Sequence, residues 1–204
     1  MHMRSGLGNL PEMLRVATNL KYFNLEFLNS KDVDLYEIGI LMRSLAKARH
    51  LLRCEFNFDK SANMNRSAIT LLLLKLRYLN RTVHLTVDLF YATLNDSMAL
   101  ILRKSLAQLP QLKTLAIHFN DEQELLDIIF DYGRLFEKLN HLEELSLDGE
   151  VYSNSDCVYP YAWKKPETMR FLKKFHLNEI SLTKVCKILP SLPNLKEVCI
   201  EFQE

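Results

Sequence analysis

The sequence lacks any apolar run that approaches the roughly 18–20 residues of a membrane-spanning helix. Its longest run, around residues 68–74, is interrupted by Thr70 and closed by Lys75. The first residues also lack the apolar core, roughly 7–15 residues long, of a secretory signal. We therefore expect a soluble protein that has no membrane partner and is located in the cytoplasm.

Glycine, proline and cysteine are scarce, with five, six and four residues among 204, while 48% of the residues are hydrophobic. This composition is typical of an ordinary globular chain and excludes collagen-like and disordered classes. The cysteines form no CxxC pair and no metal-site spacing, which favours reduced thiols over disulfides or zinc ligands. The four are Cys54, Cys157, Cys186 and Cys199.

An excess of one charge is also missing, because 26 lysines and arginines face 25 acidic residues. A protein that neutralises many phosphates usually has a clear surplus of positive charge. Nucleic acid is therefore not the expected partner.

What the sequence has is an internal repeat of the form LxxLxL, whose last two apolar positions alternate as a strand requires. Seven segments fit, and their first positions are spaced 31, 29, 32, 30, 30 and 23 residues apart. The segments are Leu20/Phe23/Leu25, Leu51/Cys54/Phe56, Asn80/Val83/Leu85, Leu112/Leu115/Ile117, Leu142/Leu145/Leu147, Leu172/Phe175/Leu177 and Leu195/Val198/Ile200. Such even spacing predicts seven stacked structural units.

Between these segments the apolar period changes from two to about 3.6 residues, which indicates amphipathic helices. The predicted helices cover residues 32–48, 63–79, 95–109 and 121–139, and residues 11–17 are predicted to form a short helix before the first strand. One strand and one helix cannot bury an apolar face alone, so neighbouring units must stack. The strands are then expected to form one parallel sheet.

Strand–helix units of this length resemble the ribonuclease-inhibitor-like class of leucine-rich repeats over nearly the whole chain. The best unit covers residues 109–120 and has the family's asparagine, Asn120, where the strand turns off. The resemblance implies an α/β solenoid of about seven repeats in a single domain, residues 1–204, with a curved parallel sheet inside and helices outside. The alternative is a doubly wound α/β domain, which normally has a Gly-rich turn after a strand. The only close glycines, Gly6 and Gly8, precede the first strand.

Residues 150–165 interrupt the repeat and are rich in aromatic residues. One interpretation is a partner-binding loop, since aromatic residues are enriched in interface cores. The other is local core that replaces a missing helix, followed by a short helix from Pro166 to Met169. The candidate partner-binding residues are Tyr152, Tyr159, Tyr161, Trp163 and Lys164.

The residues between the apolar strand positions are predicted to lie on the concave face of the sheet. Partner-binding candidates there are His84, His118, Glu144, Asp148, His176 and Glu201. Acidic residues gather in its last part, which suggests a basic partner there, although an ordinary solvated sheet face gives the same pattern. The predicted face consists of Tyr22, Asn24, Glu26, Arg53, Glu55, Asn57, Thr82, His84, Thr86, Thr114, Ala116, His118, Glu144, Ser146, Asp148, Lys174, His176, Asn178, Glu197, Cys199 and Glu201.

Two pairs of residues on this face have possible catalytic or metal-binding chemistry. His84 and His118 fall on adjacent strands and could approach each other, but no third ligand can be placed beside them. Cys199 and His176 could be neighbours, yet an open face supplies neither an orienting group nor an enclosed pocket. Cys54 occupies a core position and is expected to be a small hydrophobic residue. No catalytic residue, metal site or cofactor is therefore predicted.

These features predict a non-catalytic protein–protein interaction or scaffolding module whose partner the sequence does not identify. The last strand segment has no evident cap, so either the chain is part of a longer protein or a partner covers that end. One alternative is a structural subunit of a large multiprotein assembly that docks through this strand. Another is the substrate-recognition part of a ubiquitin-ligase adaptor. Residues 10–14 resemble the start of an F-box, but the rest of that module would have to lie outside this chain.

Overall fold

The computed structural model describes residues 7–27, 33, 35–58, 65–89, 92, 95–120, 134–150, 169–178 and 192–201. The helices are α1 (Leu10–Val16), α2 (Leu35–Lys47), α3 (Arg66–Lys75), a 3-10 helix (Leu76–Tyr78), α4 (Asp96–Leu106) and α5 (Arg134–Lys138). The strands are β1 (Tyr22–Glu26), β2 (Arg53–Asn57), β3 (His84–Leu89), β4 (Thr114–Asn120), β5 (Glu144–Glu150), β6 (Lys174–Asn178) and β7 (Glu197–Glu201).

The seven strands form a single sheet in which every pair is parallel and the spatial order is the sequence order. A doubly wound domain has a switch point where the strand order reverses. No reversal occurs from β1 to β7, so the architecture is that of a leucine-rich-repeat solenoid, as predicted. All seven predicted strands are present.

One backbone hydrogen bond recurs at the start of every repeat. The amide of the first residue of the repeat donates to a carbonyl three residues earlier, as Leu51 does to Ala48 at 3.2 Å. The corresponding donor–acceptor pairs are Leu20–Ala17, Thr82–Leu79, Leu112–Leu109, Leu142–Leu139, Leu172–Met169 and Leu195–Leu192. This repeated turn brings the chain from the helix layer into each strand at an equivalent point.

The turn corrects the predicted register of the third repeat. Its core positions are Thr82, Leu85 and Val87, two residues later than the predicted Asn80, Val83 and Leu85, because Cys54 pairs with Leu85. A shift of two residues preserves the alternation of a strand, so the apolar pattern alone did not distinguish the two registers.

Thr82 was also predicted to lie on the concave face, and this prediction was wrong. Its side chain is 1% exposed, because it occupies the position that leucine fills in most other repeats. Its Oγ1 lies 3.8 Å from the Sγ of Cys54, which gives this buried hydroxyl a polar neighbour.

The helices bury the stripe that the 3.6-residue period predicts, including Ile38, Leu41 and Leu45 in α2. In α3 and α4 the caps are asparagines. The Oδ1 of Asn65 accepts a hydrogen bond from the Ser67 amide, and that of Asn95 accepts one from the Met98 amide, which satisfies amides at each helix start.

Of the predicted helix over residues 121–139, the structure describes only α5 and its flanking turn, where Phe136 and Leu139 are buried as expected. The aromatic insertion lies outside the described residues apart from Glu150 at the end of β5, and so does the helix start at Pro166. In the described part of the chain, no helix has both the length and the apolar character needed to cross a membrane.

Candidate functional site on the concave face

The strand register arranges the concave face in three rows that run across the sheet. Row 1 consists of Tyr22, Arg53, His84, Thr114, Glu144, Lys174 and Glu197. Row 2 consists of Asn24, Glu55, Thr86, Ala116, Ser146, His176 and Cys199. Row 3 consists of Glu26, Asn57, Asp88, His118, Asp148, Asn178 and Glu201. Every side chain of these rows whose burial is described is exposed or half-buried.

A hydrogen-bonded cluster of Tyr22, Arg53 and Glu55 lies at the β1–β2 side of this face. The Tyr22 hydroxyl donates to Glu55 Oε2 at 2.7 Å, and Arg53 Nε donates to Glu55 Oε1 at 2.8 Å. The Arg53 guanidinium also lies 5.4 Å from the centroid of the Tyr22 ring. The hydrogen bond to Glu55 raises the pKa of Tyr22 above its ordinary value, so the phenol stays protonated and continues to donate.

The sequence prediction placed these three residues on the concave face but not among the candidate site residues. Tyr22 and Arg53 are 31 residues apart and become neighbours only through the pairing of β1 with β2. The sequence does contain a signal for this contact, because Tyr22 precedes the Arg53-x-Glu55 segment by the length of one repeat.

His84 and His118 do not meet, so the predicted approach of these two residues was wrong. His84 pairs with Thr114 in row 1, where its Nδ1 lies 3.0 Å from Thr114 Oγ1. His118 lies four positions further along the strand direction, about 13 Å away at the usual rise per residue. Its Nδ1 is instead 3.5 Å from Asp88 Oδ2.

Charges alternate along row 1 from β5 to β7. Lys174 pairs in register with both Glu144 and Glu197, and its Nζ lies 2.7 Å from Glu197 Oε2. This contact raises the pKa of Lys174 and lowers that of Glu197. The set of acidic residues predicted to attract a basic partner therefore includes a lysine. Asp148 and Glu201 occupy row 3 positions, and their side chains lie outside the described part.

His176 and Cys199 lie directly opposite each other, as expected for neighbouring strands. The Nε2 of His176 is 3.7 Å from Glu144 Oε1. Among the described residues, no three or more His, Cys, Asp or Glu side chains come close enough together to hold a metal ion. Burial raises the pKa of the Cys54 thiol to about 12, so this cysteine is a protonated core residue, as predicted.

A chain of ion pairs lies beside row 1, one residue before β4, β5 and β6. Glu143 lies between two lysines, with its carboxylate oxygens 2.8 Å from Lys173 Nζ and 3.5 Å from Lys113 Nζ. The hydrogen bond from Lys173 is the main reason that the pKa of Glu143 is lowered. The structure thus connects three consecutive repeats through side chains at the strand starts.

The remaining predicted contact residues, Tyr152, Tyr159, Tyr161, Trp163 and Lys164, lie outside the described residues. Their role in partner binding stays a prediction.

Comparison with solved structures finds one of similar fold. The C-terminal domain of tropomodulin from Caenorhabditis elegans is similar with a TM-score of 0.51 and 13% sequence identity, over 78% of this chain and 92% of that one. The leucine-rich repeat-containing protein LegL7 from Legionella pneumophila aligns with a TM-score of 0.34 and 10% identity, over 96% and 88% of the two chains. No protein-family model and no curated protein matches the sequence. The likeness to tropomodulin, together with the sequential parallel sheet, shows a leucine-rich-repeat type of fold.

Proposed function

We propose that this chain is a non-catalytic protein-binding module whose concave face receives the partner. The observation that carries the proposal is the cluster of Tyr22, Arg53 and Glu55, in which an exposed aromatic ring and a guanidinium are held in place before any partner binds. Tyrosine and arginine are enriched among the residues that dominate binding energy at protein interfaces. Side chains that are already ordered lose less conformational entropy on binding.

The rest of the concave face supports binding rather than catalysis. Its titratable residues form separate couples on different strands, such as His118 with Asp88 and His176 with Glu144. A catalytic site would need several such groups to converge on one substrate atom. Exposed polar residues spread over seven strands instead offer many distributed hydrogen bonds, which suits a partner protein.

The aromatic insertion, residues 150–165, is proposed as a second contact with the same partner. This part of the proposal rests on the sequence, which concentrates four aromatic residues and Lys164 there. Tyr159, Tyr161 and Trp163 replaced together by Ser should then weaken partner capture and leave the thermal unfolding curve nearly unchanged. Loss of folding would instead assign these rings to the core.

Site-specific photocrosslinking tests which face binds. A photoreactive phenylalanine analogue at Asn24, an exposed row 2 position, should crosslink a partner in cell extract. The same analogue at Tyr36, which is 74% exposed on α2 at the opposite side of the sheet, is the matched control and should not. Crosslinks at Tyr36 alone, or at neither position, would contradict the proposal.

The cluster itself is tested by the double substitution Tyr22→Ala and Arg53→Ala. The expected result is that the species crosslinked at Asn24 is lost while the circular dichroism spectrum is kept. Glu12→Ala with Arg15→Ala removes another exposed ion pair, on α1, and should leave the crosslink unchanged. Equal loss in both double variants would argue against the cluster as the anchor.

A second candidate is a structural subunit that is partly buried in a larger assembly. It is favoured by the seventh repeat, where Val198 is 38% exposed while Leu195 and Ile200 are half-buried. Size-exclusion chromatography with light scattering on the isolated chain distinguishes the candidates. A stable monomer would count against the subunit, whereas aggregation relieved by one co-purified protein would support it.

A further inference from the structure

Five cationic residues lie where α2 and α3 end and the following turns begin, and we call this surface the basic edge. Its members are Lys47, Arg49, Lys75, Arg77 and Arg81. Within the described residues, none of the five forms an ion pair with a carboxylate. The sequence explains this isolation, because residues 38–87 contain nine lysines and arginines against two acidic residues, while the whole chain has a net charge of +1.

Direct contacts join the two turns of the basic edge into one surface. Arg81 Nη1 donates to the carbonyl oxygen of Arg49 at 3.2 Å, across adjacent repeats. A groove between these turns is lined by Leu45, Ala48, Leu51, Tyr78 and Arg81, among others. The surface therefore has a shallow depression beside its charges.

Tyr78 provides an aromatic ring within this surface and is 45% exposed. Lys75 Nζ and Arg77 Cζ lie 5.2 and 5.0 Å from its ring centroid, and Arg77 Nη2 is 3.1 Å from its hydroxyl oxygen. The Arg77 contact and the two positive charges lower the pKa of Tyr78, which reflects a positive local potential.

The later repeats show that cations at this side of the solenoid can be neutralised from within the chain. Lys113 and Lys173 both contact Glu143, which lies in the repeat between them. In the second and third repeats, no described carboxylate forms ion pairs with the cations of the basic edge as Glu143 does with Lys113 and Lys173. Helix dipoles favour cations in the last turns of α2 and α3 and so account for Lys47 and Lys75. They do not account for Arg49 and Arg81, which come after these helices end.

We propose that the basic edge binds a short acidic segment of a partner protein, whose Asp and Glu carboxylates pair with these cations. Guanidinium groups bind carboxylates with paired hydrogen bonds. The exposed ring of Tyr78 offers an apolar contact beside them. The surface lies outside the three rows of the concave face. It is therefore a binding surface separate from both contacts proposed above, and it goes beyond the function proposed there.

The dimensions and surroundings of the basic edge favour a peptide over a nucleic acid. It spans two repeats, and neighbouring strands are about 4.8 Å apart, so its width matches only a few residues of an extended chain. The cation of row 1 at the start of β2, Arg53, is already paired with Glu55. The cations without a carboxylate partner therefore form a short patch, and a nucleic acid that continued past it would gain no further unpaired cation there.

Fluorescence anisotropy with the full chain tests this proposal. The probe is a fluorescein-labelled octapeptide of alternating Asp and Glu, and its counterpart of Asn and Gln is the neutral control. Lys47→Gln, Arg49→Gln and Arg81→Gln, combined in one variant, should weaken binding of the acidic peptide by about tenfold or more, and added salt should weaken binding to the unaltered chain.

The matched control combines Lys113→Gln, Lys173→Gln and Lys174→Gln, which removes three lysines that already have carboxylate partners. Both triple variants lose the same net charge, so non-specific attraction would fall equally in both. The expected change for this control is about twofold or less. The single substitution Arg49→Gln, at an exposed residue, keeps the Arg81 hydrogen bond to the backbone and should weaken binding about threefold, should the triple variant not fold.

Three results would overturn the proposal. One is the absence of binding to the acidic peptide, and another is an equal loss of binding in the two triple variants. The third is tighter binding of an eight-nucleotide oligothymidylate that the same edge substitutions abolish, since this would assign the basic edge to single-stranded nucleic acid. None of these results depends on whether the concave face crosslinks a partner at Asn24.

Discussion

The third and seventh repeats have the same spacing of inward-facing strand positions and differ in how far their neighbours bury these positions. Leu85 in β3 is 1% exposed, whereas Val198, at the equivalent position of β7, is 38% exposed. Strand β3 has β2 and β4 on its two sides and α3 and α4 in its own and the next repeat. In the described part of the chain, β7 pairs with β6 alone. The sequence pattern thus determines which side chains face inward, and the adjacent repeats determine how much of each is buried.

The two described cysteines give the largest expected difference between these regions. Cys54 in β2 is buried with its pKa raised to about 12, while Cys199 in β7 is half-buried. At pH 8, a thiol reagent should modify Cys199 about a thousandfold faster, because Cys54 becomes accessible only when the protein unfolds. The rates are measured by mass spectrometry after Cys157 and Cys186 are replaced by Ser. Comparable rates would mean that the second repeat opens as readily as the last.

Phe56→Ala should cause the largest loss of stability among these substitutions. Its ring is fully buried and tilts against that of Phe23, at a centroid distance of 6.0 Å. Truncation should lower the free energy of unfolding by about 3–5 kcal/mol, as measured by urea denaturation. Ile200→Ala, at the equivalent core position of β7, is the comparison and should cost clearly less. Equal losses would show that β7 is as well covered as β2.

Two valines allow the same comparison with one kind of substitution. Val87→Ala leaves a cavity in a closed core and should lower the free energy of unfolding by about 2 kcal/mol. Val198→Ala removes atoms that water already reaches, and we expect a loss below about 1 kcal/mol. If a partner covers β7, adding that partner should increase the loss in free energy of unfolding that Val198→Ala causes. The loss that Val87→Ala causes should stay unchanged.

The smallest effect is expected at a helix cap, which acts within one repeat. Asn95→Ala removes the acceptor for the Met98 amide at the start of α4 and should cost about 1 kcal/mol. Asn24→Ala, at an exposed residue in β1, is the control and should change the unfolding midpoint little. A similar loss for both would mean that the cap contributes no more than an exposed strand position.

Much of the fold could be predicted because its signals are local. The strand segments and helix stripes need only a window of about 6–18 residues. The third repeat is the instructive exception, since Asn80/Val83/Leu85 and Thr82/Leu85/Val87 alternate equally well. The hydrogen bond from Thr82 to Leu79 distinguishes them, and the apolar pattern does not include the residue at which this turn begins.

The contacts of the candidate site could not be predicted to the same degree, because they join residues about one repeat apart. Tyr22 with Glu55, Lys113 with Glu143 and Arg81 with Arg49 all depend on the register between neighbouring repeats. An error of two residues in one register, as at β3, changes every such contact on that strand. The misplaced pair of His84 and His118 shows the related limit, because adjacent strands do not imply adjacent positions along them.

The hydrogen-bonded turn before each strand has a consequence for how the length of a repeat can change. The first positions of the sixth and seventh repeats, Leu172 and Leu195, are 23 residues apart, yet Lys174 and Glu197 pair in register as their counterparts do elsewhere. Residues gained or lost between the end of one strand and the next turn thus change the connecting segment and leave the strand alignment intact. Variation in the segments between the strands is thereby separated from the geometry of the concave face, so each can diversify without disturbing the other.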